Sequence, residues 1–336
     1  MSKALSATPV SPVSQQQPSR SAVRGGLWAA AGVVAAALGA AALFNRAEAR
    51  RAEANTPPVG KFIDVDNIRL HYVDRGEGPV VVLLHGNGML LQDYEASGVL
   101  DLAAKDHRVL AFDRPGFGYS DRPRSRLWTP AEQGELIAKA LEQLGIERAV
   151  VVGHSWGTLV ALAFALQYPK RVAGLVLLSG YYFGTARPDV VPASIPAIPL
   201  LGDFMAHTIS PLMGRVLAPV AVKASFAPSA VSQKFADLPI AMTLRPSQIR
   251  ATAADTALMV PAAIALSQRY GELDLPIIVM AGEGDIIAQV GEHAEPFAKE
   301  VNGADLLIVA GQGHLFHYAV PSEVVAAIRD VQRPRG

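Results

Sequence analysis

The chain has no cysteine among its 336 residues. That excludes disulfide staples, a thiol nucleophile and cysteine-ligated zinc or iron–sulfur sites, and it leaves the redox compartment unspecified. Charge of one sign is also missing. The 30 basic and 30 acidic residues cancel, which removes the global electrostatic case for a nucleic-acid partner. Charged residues are only 18% of the chain and hydrophobic residues 50%, too apolar a balance for disorder. No repeat period marks a solenoid or a collagen-like fibre. There is no H-E-x-x-H, no carboxylate cluster with metal-ligand spacing and no G-x-x-x-x-G-K phosphate loop. His314 and His317 are three apart but without companions, so the sequence implies neither a metal nor an organic cofactor.

The apolar surplus is unevenly placed. Residues 1–26 are rich in Ser, Pro and Gln and read as a disordered tail. From Leu27 to Phe44 the chain reads LWAAAGVVAAALGAAALF, without a charge or a proline. As a helix this run spans about 27 Å, close to the ~30 Å hydrocarbon core of a bilayer, and it has no polar face. An uncleaved single-pass anchor is the favoured reading, because the region before it is long for a signal peptide. The alternative is secretion after cleavage near the small-x-small triplet Ala47-Glu48-Ala49. Lys3, Arg20 and Arg24 before the run balance Arg46, Arg50 and Arg51 after it, so charge does not orient it. The signal-like layout alone places the body on the extracytoplasmic side. Residues 45–60 read as a charged linker ending in Thr56-Pro57-Pro58, and the body begins at Lys61. The first 60 residues hold six basic residues and two acidic ones, so the body is mildly acidic.

Within the body, two short alternating stretches at 62–65 and 68–73 form an edge pair turned at Asp66-Asn67. Near-continuous apolar runs follow at 80–84, 109–112, 149–152, 172–178, 277–281 and 306–309, as expected of strands buried on both faces. Helices alternate with them. Thr129-Pro130-Ala131-Glu132 caps one running to about Leu144, Trp156 opens a second stopped by Pro169, and a last one covers 322–331. The alternation predicts an α/β sheet with helices on both faces. Residues 181–250 break the rhythm with many prolines and read as a mostly helical insertion, after which the rhythm resumes near Thr252.

Gly153-His154-Ser155-Trp156-Gly157 sits between an apolar strand and a helix, the context that gives G-x-S-x-G its chemical meaning. A serine on that sharp turn projects its oxygen above the carboxyl edge of the sheet, beside helix amides that stabilise negative charge. A nucleophilic serine needs a base, and the base an orienting acid. His314 follows the strand at 306–309 in a Gly-rich loop, and Asp285 follows the strand at 277–281 in a loop of the same kind. All three then share one sheet edge, with Glu283 as the rival acid, nearer its strand end. His85-Gly86-Asn87-Gly88 follows the strand at 80–84. An oxyanion hole in this geometry takes the amides of Asn87 and Trp156, with His85 bracing the loop.

These residues, with Asp113-Arg114-Pro115-Gly116-Phe117-Gly118-Tyr119-Ser120 after the strand at 109–112, make the chain from Lys61 to Val331 resemble an α/β-hydrolase-fold serine hydrolase. The branch it resembles holds epoxide hydrolases, cofactor-free haloperoxidases and carbon–carbon bond hydrolases. The resemblance implies a mostly parallel, doubly wound eight-stranded sheet, with a helical lid inserted after the sixth strand at about 181–250. It implies a structural role for the Asp113–Ser120 turn. Branch members that open epoxides or remove halide use an aspartate nucleophile where this chain has Ser155, so acyl transfer fits better. The expected activity is hydrolysis of an ester-like bond in a small apolar substrate. Three acids, Asp189, Asp203 and Asp237, against six Lys or Arg in the insertion disfavour an amine substrate. The alternatives are a carbon–carbon bond hydrolase using Arg187 or Arg215 for a substrate carboxylate, and a haloperoxidase or perhydrolase. The non-enzyme alternative is a membrane-tethered binding protein of the same fold, a role that usually accompanies a broken triad.

Overall fold

The computed structural model describes residues 20–333, with side chains from residue 28 onward. Residues 1–19 of the expected tail lie outside the described residues. Helix α1 (Arg20–Asn55) begins before the apolar run and continues beyond it. This corrects two expectations: residues 20–26 are helical, and so is the linker at 45–60 as far as Asn55. The physical reason is composition, because NRAEARRAEAN is built from Ala, Arg and Glu, good helix formers. This end of α1 also packs on the body. Ala52 and Asn45 are buried, and Asn45 Nδ2 donates to the carbonyls of His207 at 3.1 Å and Thr208 at 2.7 Å.

Eight strands form one sheet: β1 (Lys61–Val65), β2 (Ile68–Arg75), β3 (Val80–Leu84), β4 (Arg108–Phe112), β5 (Ala149–His154), β6 (Val172–Leu178), β7 (Ile277–Gly282) and β8 (Ala304–Val309). Their order is β1-β2-β4-β3-β5-β6-β7-β8. β1–β2 and β2–β4 are antiparallel and every later pairing is parallel. Successive residues of a strand face opposite sides, so a strand apolar at every position must be covered twice. Val82 and Leu84 pack with α4 (Pro130–Gln143) and α5 (Trp156–Gln167), while α2 (Gln92–Ser97) precedes the opposite layer. Val81 and Leu83 pack with α3 (Val99–Ala103) and the final helix, Pro321–Asp330. Thr129 Oγ1 accepts from the Glu132 amide at 3.2 Å and Pro130 occupies the first turn, so α4 starts where its capping residues direct.

Between β6 and β7 the chain is helical: α6 (Val190–Ser194), α7 (Leu201–His207), α8 (Ile209–Phe226), α9 (Ile240–Thr243) and α10 (Pro246–Ser267). The strand–helix rhythm does not resume at Thr252, because α10 runs unbroken through that position and through Pro261. Helices α11 (Ala294–Glu300) and α12 (Pro321–Asp330) complete the body. β3 lies between β4 and β5, so the chain winds to one side and then returns to the other. The crevice at such a switch point, beyond the carboxyl ends of the strands, is where open α/β sheets place their chemistry.

Candidate active site

Ser155 joins β5 to α5 with φ 51° and ψ −119°, a conformation that side chains other than glycine rarely adopt. Close packing holds it there. A Cβ on Gly157 would lie 2.3 Å from the Leu84 carbonyl oxygen, so only glycine lets α5 approach β3 at this turn. The Ser155 amide donates to the Leu178 carbonyl at 2.8 Å, fixing the turn from the other side.

His314 and Asp285 meet beyond β8 and β7. Asp285 Oδ2 lies 2.8 Å from His314 Nδ1, and its Oδ1 accepts from the amides of Ile287 at 2.8 Å and Ala288 at 2.9 Å. Burial alone would raise the Asp285 carboxyl, but His314 and these two amides hold it below its ordinary value. An ionised Asp285 favours the tautomer with its proton on Nδ1, the nitrogen that faces the carboxylate. Glu283 accepts from the Gly311 amide at 2.9 Å instead and takes no part in this contact. His314 reaches the elbow through His154, the residue before Ser155: its carbonyl lies 3.1 Å from His154 Nε2 and the two rings are 5.0 Å apart.

The loop after β3 is pinned from below. Arg114 is 1% exposed and donates to the carbonyls of His85 at 2.8 Å and Gly86 at 3.1 Å. In a trans peptide the N–H points opposite to the C=O, so fixing the Gly86 carbonyl aims the Asn87 amide away from Arg114. A Cβ on Gly86 would come 3.2 Å from Ser155 Cβ and 3.0 Å from His154 Nδ1, which places this loop directly against Ser155. The Trp156 amide opens α5 and has no partner within its own helix. His85 ties the loop to the next one, its Nε2 accepting from the Arg114 amide at 3.0 Å and its Nδ1 lying 2.8 Å from the Gly86 oxygen. Burial, with the Arg114 charge, lowers it to about 4, so it is neutral.

Three arrangements escape the motifs. Arg114 pairs with buried Asp255 of α10 at 2.6 Å and lies 4.7 Å from the centre of the Trp156 ring, whose Nε1 donates to the Asp255 carbonyl at 2.9 Å. Asn87 Nδ2 donates to the Thr252 carbonyl at 3.1 Å and to Thr256 Oγ1 at 2.8 Å, so α10 is fastened to the loop after β3. Beneath the elbow, buried Asp93 accepts from the Tyr318 hydroxyl at 2.8 Å and lies 3.2 Å from His317 Nε2. Of these residues, Arg114, Asn87 and Trp156 belonged to motifs visible in the sequence, whereas Asp255, Thr252, Thr256, Asp93 and Tyr318 did not. The turn carrying Arg114 is built on Asp113, which sits 2.7 Å from His71 Nδ1 and accepts the Leu91 amide at 3.0 Å. A cavity of about 560 Å³ lies beside the site, not at Ser155, between the loop from Gly116 to Trp128 and the far face of α10.

This sheet with this elbow defines an α/β hydrolase. The model of the alpha/beta hydrolase fold matches residues 79–319, and the chain belongs to that family. Among curated proteins it is 36% identical over 144 residues to "Epoxide hydrolase 3" of Siraitia grosvenorii, covering 42% of each chain. It is 35% identical over 123 residues to "2-hydroxymuconate semialdehyde hydrolase" of Pseudomonas putida, covering 37% of this chain and 44% of that one. The chain thus spans less than half the length of these two relatives. Among solved structures, the enol-lactonase from Burkholderia xenovorans LB400 matches with a TM-score of 0.68 and 20% identity, over 81% of this chain and 99% of that one. That likeness is one of fold.

Proposed function

We propose that the protein is a serine hydrolase that cleaves a carboxylic ester-like bond of a small apolar substrate. The observation that carries this reading is the Asp285–His314 hydrogen bond at the edge where Ser155 is held in its strained turn. Ser155 Oγ attacks the carbonyl carbon while its proton passes to His314 Nε2. The carbonyl π electrons move onto oxygen, where the amides of Asn87 and Trp156 bind the negative charge; losing one such donor typically costs ~10²–10³ in rate. The C–O bond then breaks and His314 returns the proton to the leaving alcohol. Water, deprotonated by the same imidazole, hydrolyses the acyl-enzyme. Asp285 holds the tautomer and stabilises the imidazolium. The named hydrolases among the relatives support the class of reaction. The helical segment between β6 and β7 serves as the lid, with α10 resting on Asn87 and Trp156.

The carbon–carbon bond hydrolase is the second reading, favoured by one contact. Arg187 donates to the Ile287 carbonyl at 3.2 Å, two residues past Asp285, while pairing with Asp189 at 2.8 Å, and Arg215 is engaged with α1. A series of p-nitrophenyl esters of rising acyl length separates the outcomes. The proposal expects hydrolysis that favours apolar acyl groups and is abolished by Ser155→Ala. Equal rates across the series would remove the apolar pocket, and turnover confined to a vinylogous diketone acid would establish the second reading.

The anchor belongs to the same proposal. α1 exposes its apolar run, with Trp28 at 75% and Leu43 at 71%, and its segment Trp28–Asn55 is long and apolar enough to cross a membrane. We read it as a single-pass anchor carrying an extracytoplasmic body, with secretion after cleavage as the alternative. Retention of full-length protein in the membrane pellet after alkaline wash supports the anchor, and release supports cleavage.

A further inference from the structure

Outside the catalytic centre, the most distinctive surface lies on α8. Ile209, Leu212, Met213, Val216, Leu217 and Val220 recur at spacings of three and four, which places them on one helix face. In a water-soluble domain that face turns toward the core. Here it turns outward, with exposures from 37% at Leu212 to 72% at Val216, while buried Pro211 and Phe226 lie off the stripe. Leu200 and Phe204, 84% and 45% exposed, extend the patch along the preceding turn and α7. A continuous apolar surface of this kind marks something that covers it.

The position of α1 indicates what does. Asn45 ties α1 to the carbonyls of His207 and Thr208, where α7 meets α8. Arg215, inside the striped helix, donates to Asn45 Oδ1 at 3.1 Å and stands 5.2 Å from the centre of the Phe44 ring. Phe44 is the last residue of the apolar run of α1. The first two turns of α8 are therefore fixed at the level where an anchoring α1 would enter the bilayer. We infer that the exposed face of α7 and α8 docks into the interfacial layer of the same bilayer, as an amphipathic helix lying on lipid does. This inference rests on the reading of α1 as an anchor. The occupant is a lipid surface, the bilayer that α1 would enter beside Arg215.

The other end of α8 reaches the catalytic loops. The Leu315 amide donates to the Ser225 carbonyl at 3.1 Å, and the Ala227 oxygen packs on Gly313, the residue before His314. An 18-residue helix is ~27 Å long, so a docked α8 would run that distance along the bilayer surface and carry the loop of His314 at its far end. Esters dissolved in the membrane are the substrates such a placement suits.

The absence of cysteine makes the test clean. Single-cysteine variants Val34→Cys, Val216→Cys, Val220→Cys and Glu77→Cys of the full-length chain are labelled with nitrobenzoxadiazole and placed in phosphatidylcholine–phosphatidylglycerol vesicles. Quenching is then read with lipids carrying a doxyl group either near the headgroup or deep in the acyl chain. Val34 lies mid-run in α1, and exposed Glu77 precedes the amino end of β3, remote from α8. The inference expects headgroup-level doxyl to quench the Val216 and Val220 labels about threefold or more beyond the Glu77 label, with Val34 quenched by deep doxyl. Val34 quenched but the stripe at the Glu77 level overturns the inference and leaves the anchor standing. Val34 unquenched removes the anchor and the inference with it. Stripe labels shielded from both lipids, with emission that changes on protein dilution, would show that a second copy covers the face and would also overturn it.

Discussion

Acidification from about pH 7.5 to about pH 5 should strip much of the stability of the body through three neutral histidines. His85, His154 and His293 are each no more than 1% exposed. Burial lowers them to about 4, about 3 and about 4, helped by the Arg114 charge, by His317 and His314, and by Arg187 respectively. A histidine in the unfolded chain titrates near ~6.5. Because each folded value is depressed, the unfolded chain gains protons first as the pH falls. The contribution is complete above ~6.5 and drains away between there and ~4. The linkage relation puts the loss at about 2 kcal/mol per histidine by pH 5, or about 6 kcal/mol for the three, against a typical total of ~5–15 kcal/mol. Urea unfolding of the full chain in detergent, followed by tryptophan fluorescence across this range, measures it. Near pH 5.5 the slope should be about 4 kcal/mol per pH unit, and His293→Gln should reduce it by about 1 kcal/mol per pH unit. A wild-type slope near zero, or an unchanged slope in His293→Gln, would refute the argument.

Three substitutions probe the site further. Asp285→Asn should lower kcat for ester hydrolysis by about 10⁴ with KM little moved, whereas Glu283→Gln should leave both within about twofold; the reverse pattern would reassign the acid. Gly86→Ala forces its methyl against Ser155 and His154, so steady-state kinetics should show a rate loss of about 10² with the melting temperature nearly kept. Asp255→Ala leaves Arg114 charged and buried, and chemical denaturation should register a loss of about 3–5 kcal/mol; a loss below about 1 kcal/mol would mean that the pair contributes little.

The parts of this molecule that were legible in advance are those where one residue type answers one local demand. The runs of valine and leucine at 80–84 and 149–152 marked buried strands because nothing polar survives between two helical layers. Gly153 to Gly157 marked the elbow because the turn at Ser155 tolerates little else beside β3. The missed features depend on partners distant in sequence. Residues 45–55 look like a solvated linker until Asn45 finds the carbonyls of α7 and α8. Asp255 resembles a surface residue of an alanine-rich helix, and only the fold brings Arg114 and Trp156 to it from 141 and 99 residues away. Thr252, where the strand–helix rhythm was expected to resume, falls inside α10, which also carries Pro261 within it. Asp93 gave no local signal and His317 only its spacing from His314, since each is intelligible only as the neighbour of the other in a dry site.

Covalent trapping reads out whether Ser155 is the nucleophile. Full-length protein treated with a fluorophosphonate should gain one covalent adduct by intact mass. Peptide mapping should place it on Ser155, and Ser155→Ala should gain none while also losing ester hydrolysis. Wild-type protein that hydrolyses esters with Ser155 unlabelled, or a Ser155→Ala variant that keeps the activity, would mean that Ser155 is not the nucleophile.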